Sequence, residues 1–122
     1  MLRFTSLTVW QRAHALVIAV YRASATFPTD ERYGVTSQLR RAITSIPANI
    51  AEGSRREGPQ EYARFLNIAQ GSAAEVEYFL ILSHDLGYLD DETFRRLADD
   101  IDQVARMLHA LRRTVIEDRA HE

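Results

Sequence analysis

The sequence predicts an all-α domain, an up-down-up-down antiparallel four-helix bundle, and three features of the chain carry that expectation. Apolar residues recur at alternating spacings of three and four, proline, glycine and acidic residues stand where such segments should start and stop, and no run shows the period-two alternation of a strand. The helices are expected over about residues 7–27, 30–56, 59–86 and 91–116 of one domain, 1–116, with 117–122 as a frayed tail. Short connections make consecutive helices antiparallel neighbours, crossing at about 20°.

The first helix begins near Ser6 or Thr8, where Thr8-Val9-Trp10-Gln11 has the form of a capping box, and Pro28 stops it. Thr29 is the expected cap of the second, with Asp30 and Glu31 in the first turn, where the helix dipole favours negative charge. Its seam is Val35, Leu39, Ala42, Ile46, Asn49 and Gly53. Pro59 opens the third helix, because a missing N–H is harmless at a first helical position. That helix repeats the seam with Tyr62, Phe65, Ala69, Ser72, Val76 and Phe79 and ends at Gly87, a left-handed cap. Asp90 caps the fourth, whose seam of Phe94, Leu97, Ile101, Val104, Leu108, Leu111 and Val115 is the most regular.

Two segments exceed what one bundle can bury. Ala15 to Tyr21 in the first helix and Tyr78 to Leu82 in the third are apolar around nearly the whole circumference, and this predicts self-association.

Composition excludes several chemistries. Of the 122 residues 46% are hydrophobic and 26% charged, the balance of an ordinary globular domain, and none is cysteine, so disulfides, thiolate metal sites and cysteine nucleophiles are ruled out. All fifteen basic residues are arginine. The net charge of −2 is unevenly spread: residues 1–58 carry eight Arg against four acids, net +4, and residues 59–122 carry seven against thirteen, net −6. Such halves neutralise one another within a subunit or between neighbouring subunits. No apolar run approaches the length of a membrane span, and the N-terminus lacks a signal core, so a cytoplasmic protein that does not enter membranes is expected.

Pro47 falls inside the second helix, where it removes the hydrogen bond to the Ile43 carbonyl and predicts a kink. A polar stripe of Gln38, Arg41, Ser45, Asn49 and Glu52 runs beside the seam. Ser45 or Asn49 is expected to satisfy the backbone groups freed by the proline; the alternative is a polar ligand pocket around Asn49, Glu52 and Glu75. Ala69-Gln70-Gly71-Ser72-Ala73-Ala74 is a small-residue patch that admits another helix closely.

Trp10, Tyr21, Phe27-Pro28, Gln38-Leu39-Arg40-Arg41-Ala42, Ser45-Ile46-Pro47-Ala48-Asn49-Ile50-Ala51-Glu52-Gly53 and the run Phe65 to Glu75 together resemble the four-helix bundle proteins named after 23S rRNA intervening sequences. The resemblance spans almost the whole chain. It implies a homopentameric ring, and it marks Ser45, Pro47, Asn49, Glu52, Gly53, Gly71, Ser72 and Glu75 as architectural positions without catalytic roles. A related branch, the accessory variability determinant of diversity-generating retroelements, is a basic pentamer that binds nucleic acid and a reverse transcriptase. This chain departs from that branch in its net acidity. Arg40, Arg41, Arg55 and Arg56 are the positions expected to contact phosphate if RNA, DNA or a nucleic-acid-processing protein is a partner; the last two precede the start of the third helix, where free N–H groups favour anions.

Other sites are not supported. Gly53 to Gly58 has the glycine spacing of a phosphate-binding loop, but Pro59 and Gln60 replace its Lys and Ser/Thr. His14, His84, His109 and His121 are scattered, no Glu-x-x-His pair builds a di-iron centre, and Asp90, Asp91, Asp99, Asp100 and Asp102 lack the spacing of a calcium loop. The expectation is a non-enzymatic, homo-oligomeric interaction module without metal or cofactor; a small-molecule carrier or enzyme, and a purely structural subunit, are the alternatives.

Overall fold

The computed structural model describes residues 3–120. Four helices, α1 (Thr8–Ser24), α2 (Val35–Ser54), α3 (Pro59–Asp85) and α4 (Asp91–Ala120), follow one another with short 3-10 turns at Phe4–Ser6 and Thr29–Glu31, and the described residues contain no strand. α2 and α4 each pack against both α1 and α3, whereas the α1 and α3 backbones stay more than 8 Å apart, Cα to Cα. The four axes thus mark the corners of a square, with α1 and α3 on one diagonal. Along α2 and α3 the partners run in opposite senses, Arg41 to Glu75, Ser45 to Ser72 and Gly53 to Phe65, which fixes them as antiparallel.

The core is built from the predicted seams together with Ile43, Ile50, Leu66 and Leu80, each one position beyond a seam residue. Leu39 and Ile46 of α2, Val76 of α3, and Leu97, Ile101 and Leu108 of α4 are almost wholly enclosed. They are joined by Ala13, Leu16 and Val20 of α1. Each fully buried Leu, Ile or Val contributes on the order of 1.5–3 kcal/mol, so these stripes are the main source of stability.

Several boundaries follow the sequence signals. Pro59 stands in the first turn of α3 after Gly58, whose φ of 81° belongs to the left-handed region. At the far end the Tyr88 N–H donates to the Ser83 carbonyl at 2.8 Å and the Gly87 N–H to that of His84 at 2.9 Å, with Gly87 at φ 81°; this is a Schellman cap. Asp90 caps α4, its Oδ1 accepting from the Thr93 N–H at 2.7 Å. That same bond holds the Asp90 carboxyl below the usual range, because it favours the charged form.

Other boundaries differ from expectation. Thr8 does not cap α1: Leu7 occupies that position without a side-chain bond, and Gln11 donates instead to the Thr5 carbonyl at 3.0 Å. The 3-10 turn of residues 4–6 brings that carbonyl within reach and so diverts Gln11 from a capping box. α1 ends at Ser24, before Phe27, because the residues preceding Pro28 leave the helical path through i→i+3 bonds from Ala25 to Arg22 and from Phe27 to Ser24. Thr29 does not cap α2 either. The chain makes a single 3-10 turn, and α2 starts at Val35, whose N–H donates to the Glu31 carboxylate at 3.4 Å. α2 ends at Ser54, two residues early. α4 continues to Ala120, so the helix includes most of the expected tail: neither glycine nor proline interrupts it, and buried Val115 anchors its last turns. His121 and Glu122 lie outside the described residues.

Two variants test these assignments. Gly53 is buried where an added Cβ would lie 2.7 Å from the Phe65 Cβ and 3.1 Å from the Tyr62 ring, so Gly53→Ala is expected to push α2 and α3 apart and lower the unfolding free energy by about 1–3 kcal/mol in urea titration. Because the folded state lowers the Asp90 pKa, its stabilising effect is complete above the unfolded value of about 3.9 and is lost as pH falls through the folded value. Asp90→Ala should therefore lower the melting temperature at pH 7, and the difference from the parent protein should shrink as pH falls below about 4.

Candidate functional site

The polar stripe of α2 faces α3 and forms a ladder across that seam. Ser45 and Ser72 share a hydrogen bond of 2.9 Å between their hydroxyls, and the Asn49 amide donates to the Ser45 hydroxyl at 2.9 Å and to the Ser45 carbonyl at 2.8 Å. Towards the start of α2, Arg41 donates to Glu75 at 2.7 Å and also to Gln38. Towards its end, Arg56 donates to Glu52 at 2.7 Å. The architectural residues Ser45, Asn49, Gly53, Ser72 and Glu75 thus meet along one interhelical line.

α2 is continuous through buried Pro47. Ser45 or Asn49 was expected to satisfy the backbone groups that the proline frees; the Asn49 amide donates to the Ser45 carbonyl, and the Ser45 hydroxyl is shared with Ser72. From Asn49 the Ser45 carbonyl lies four residues back on the same helical face, whereas that of Ile43 lies six back. Around the alternative pocket each polar group already has a partner. Asn49 is engaged with Ser45, and both carboxylates lie about half exposed in ion pairs with arginines.

The four candidate phosphate-binding arginines do not converge. The fifteen helical steps from Arg40 to Arg55 span about 22 Å. Arg40 is partly buried against the end of α1, where Nε donates to Ser24 Oγ at 2.9 Å, Nη2 donates to the Tyr21 carbonyl at 3.2 Å, and the guanidinium lies over the Tyr21 ring at 4.5 Å. A cation here also meets the negative end of the α1 dipole. Arg41 and Arg56 are paired with Glu75 and Glu52. Arg55 is exposed beside the Phe4 ring, which packs edge-on against Trp10. The sequence reading missed the Arg40 role because its partners are 16 and 19 residues away and carry no local pattern.

Histidine and aspartate roles are local. His84 Nε2 lies 2.6 Å from Asp91 Oδ1 while its ring stacks on Phe94, tying the end of α3 to the start of α4. His14 stacks on Trp10, and His109 is exposed. Among the described residues no three His, Asp or Glu side chains gather in a way that could hold a metal ion, and no helix is long and apolar enough to cross a membrane. One hollow of substantial size is an open groove of about 880 Å³ between the first turns of α3 and the last turns of α4, a region absent from the sequence-based candidates.

The model of the family described as 23S rRNA-intervening sequence protein matches residues 5–110, nearly the whole bundle. The chain belongs to that family. Family membership covers the α2–α3 ladder and both diagonal helices, and it agrees with the resemblance carried by residues 45–53 and 65–75. No curated protein matches the chain. Among solved structures, it is similar to a protein with unknown function from the S23 ribosomal protein family of Bacteroides thetaiotaomicron, with a TM-score of 0.77 and 23% identity over 85% of this chain and 97% of that one. At that identity the likeness establishes the shared fold.

The Arg40 contacts can be tested directly. Arg40→Ala removes two hydrogen bonds made by a charged donor, so a loss of about 1.5–3 kcal/mol is expected by denaturant titration, with faster amide exchange at Ala25 and Phe27 than elsewhere in the bundle.

Proposed function

We propose that this chain is a non-enzymatic module that works by assembling head to tail with copies of itself, the outer face of α1 on one copy meeting the outer face of α3 on the next. The observation that carries this reading is Gly71. It is exposed in the middle of α3, and a Cβ added there would meet nothing within 4 Å, so the subunit itself gives no reason for a glycine. An interior helical glycine costs about 0.5–1 kcal/mol relative to alanine. A neighbouring helix approaching to backbone distance supplies the missing reason.

The surroundings of Gly71 support the same reading. Ile68 (41% exposed), Tyr78 (57%) and Ile81 (49%) extend an apolar stripe along α3, and Ile18 (40%) and Tyr21 (41%) form a second on α1. The two stripes lie on diagonal helices, hence on different sides of the bundle. A two-fold contact would join like with like and leave one stripe in water, whereas a head-to-tail contact covers both and closes into a ring if the rotation allows. Charge favours the same pairing. α1 and α2 lie in the half of the chain with net +4 and α3 and α4 in the half with net −6. Arg22 on α1 and Glu77 and Asp85 on α3 are exposed. Five copies is the number that the resemblance implies. Contact with nucleic acid or a nucleic-acid-processing protein would then belong to the assembled ring, since the four candidate arginines do not build one site in the subunit.

Light scattering over a dilution series tests the proposal. The parent protein should weigh a multiple of 14.0 kDa, and Gly71→Leu, whose side chain points into open space in the subunit, should keep its helical circular dichroism but fall to a single copy. A parent protein that stays at 14.0 kDa throughout, or a Gly71→Leu variant with the parent's mass, would sink it.

A further inference from the structure

The relative heights of α1 and α3 are fixed through the two helices they share as neighbours. Through α2, Arg40 bonds to Tyr21 and Ser24 of α1, and the adjacent Arg41 bonds to Glu75 of α3. Ile18 lies about one turn before Tyr21, and Gly71 one turn before Glu75, so by this route Ile18 stands level with Gly71. Through α4, Arg12 donates to Gln103 and His84 meets Asp91. Gln103 is twelve residues on from Asp91 and Ser72 twelve back from His84, which sets Arg12 level with Ser72 and Ile18, six residues further, level with Tyr78. The two routes bracket Ile18 within the stretch from Gly71 to Tyr78.

A ring carries these heights from one copy to the next. Ser24, at the end of α1, meets Arg40 near the start of α2, while Phe4, just before α1, meets Arg55 at the end of α2. α1 and α3 are therefore both antiparallel to α2 and parallel to each other. The α3 stripe from Ile68 to Ile81 is about 20 Å long, and covering it over that length needs helices side by side, with the ring axis running along the bundles. Rotation about such an axis changes neither height nor direction. α1 of one copy thus meets α3 of the next in parallel, with Ile18 opposite the stretch from Gly71 to Tyr78.

That stretch has the shape to receive it. Positions i, i+3, i+4 and i+7 of a helix enclose the hole that a facing side chain fills in knobs-into-holes packing. Here they are Gly71, Ala74, Glu75 and Tyr78, all exposed. Gly71 and Ala74 leave the hole open, and Tyr78 and Glu75, the latter held by Arg41, stand as its walls. Ile18 is 40% exposed, an apolar side chain without full cover in its own subunit.

We infer that Ile18 of each copy seats in the hole formed by Gly71, Ala74, Glu75 and Tyr78 of the next. This contact rests on the head-to-tail assembly and adds its direction, parallel, and its register.

The chain has no cysteine, so single introduced cysteines report that register without background. A disulfide needs Cα atoms within about 7 Å of each other. When Ile18→Cys and Ala74→Cys proteins are mixed and mildly oxidised, linked pairs of twice 14.0 kDa should form several-fold faster than in mixtures of Ile18→Cys with Ile68→Cys or Ile81→Cys. Neither Ile18→Cys nor Ala74→Cys should link to itself, and a chain bearing both should give a ladder of bands that ends at the closed ring. Ile18→Ala should raise the concentration at which copies separate by about tenfold or more. All four positions are exposed, so these changes leave the subunit fold intact. In protein that still weighs a multiple of 14.0 kDa, fastest linking through residue 68 or 81, no linking at all, or an unchanged Ile18→Ala would overturn the register and leave the assembly standing. Preferential linking of like with like, or the mass of a single copy, would overturn both.

Discussion

The close approach of α2 to α3 is the constraint on which the remaining structure depends. Gly53 is its tightest point: with Phe65 Cβ 2.7 Å from where a Cβ would stand, no other residue fits without moving a helix. Small residues continue the contact through Ala42 on α2 and Ala69, Ser72 and Ala73 on α3, all buried. Helices held this closely leave little room for large apolar side chains between them, so the seam is partly polar, and its hydroxyl and amide groups must satisfy one another. Ser45, Ser72 and Asn49 do so within a few ångströms. The ladder also fixes register, since a slip along α3 would separate the serines and break the Arg41–Glu75 pair together. The bulky aliphatic side chains are displaced to the sides of this seam, where α1 and α4 complete the square.

How far the sequence could be read depended on the range of the interaction. The alternating three-and-four spacings named part of the core because burial follows the helical period itself: Leu39, Ile46, Val76, Leu97, Ile101 and Leu108 are enclosed, but so are Ile43, Ile50, Leu66 and Leu80, each one position beyond a named seam residue, because the buried stripe is wider than a single seam. Pro59, Gly87 and Asp90 were legible because their reasons are confined to one turn of backbone. Thr8 and Thr29 carried the same local signal and misled, since a 3-10 turn before Thr8 and another beginning at Thr29 changed which groups lay within reach. Arg40 shows the other limit. Adjacent arginines in sequence suggested one basic site, but α2 turns Arg40 towards Ser24 and Tyr21 and Arg41 towards Glu75. The groove at Arg112 was invisible to spacing rules because residues 60–67 and 112–116 meet only through the packing of α3 on α4.

The same limit explains why the architectural motif says so little about activity. Seven of its members, Ser45, Asn49, Glu52, Gly53, Gly71, Ser72 and Glu75, are types that often appear in active sites, yet on this fold all five polar ones are held inside the subunit, four by a neighbour on α2 or α3 and Glu52 by Arg56 in the connection between them. Their chemistry is directed inward, at holding two helices together. A residue able to act on an outside partner has to be sought where a polar or apolar group lacks an internal counterpart.

Gly53 and Gly71 put that distinction in its simplest form. Gly71 sits in the interior of α3, where glycine is the least favourable residue after proline, and Gly53 in the last turn of α2. At Gly53 the helix gains close packing against Tyr62 and Phe65, and the reason for glycine lies inside the subunit. At Gly71 the space beyond Cα is open, the flanking side chains include exposed Ile68 and Ala74, and nothing in the subunit rewards the loss of helix propensity. Two identical residues, one facing across the α2–α3 seam and the other on the outer side of α3, therefore divide the bundle's tasks. One sets how α2 meets α3; the other, on the proposed assembly, sets how α3 meets the next copy, so the rule of close approach that builds the subunit is used again between subunits.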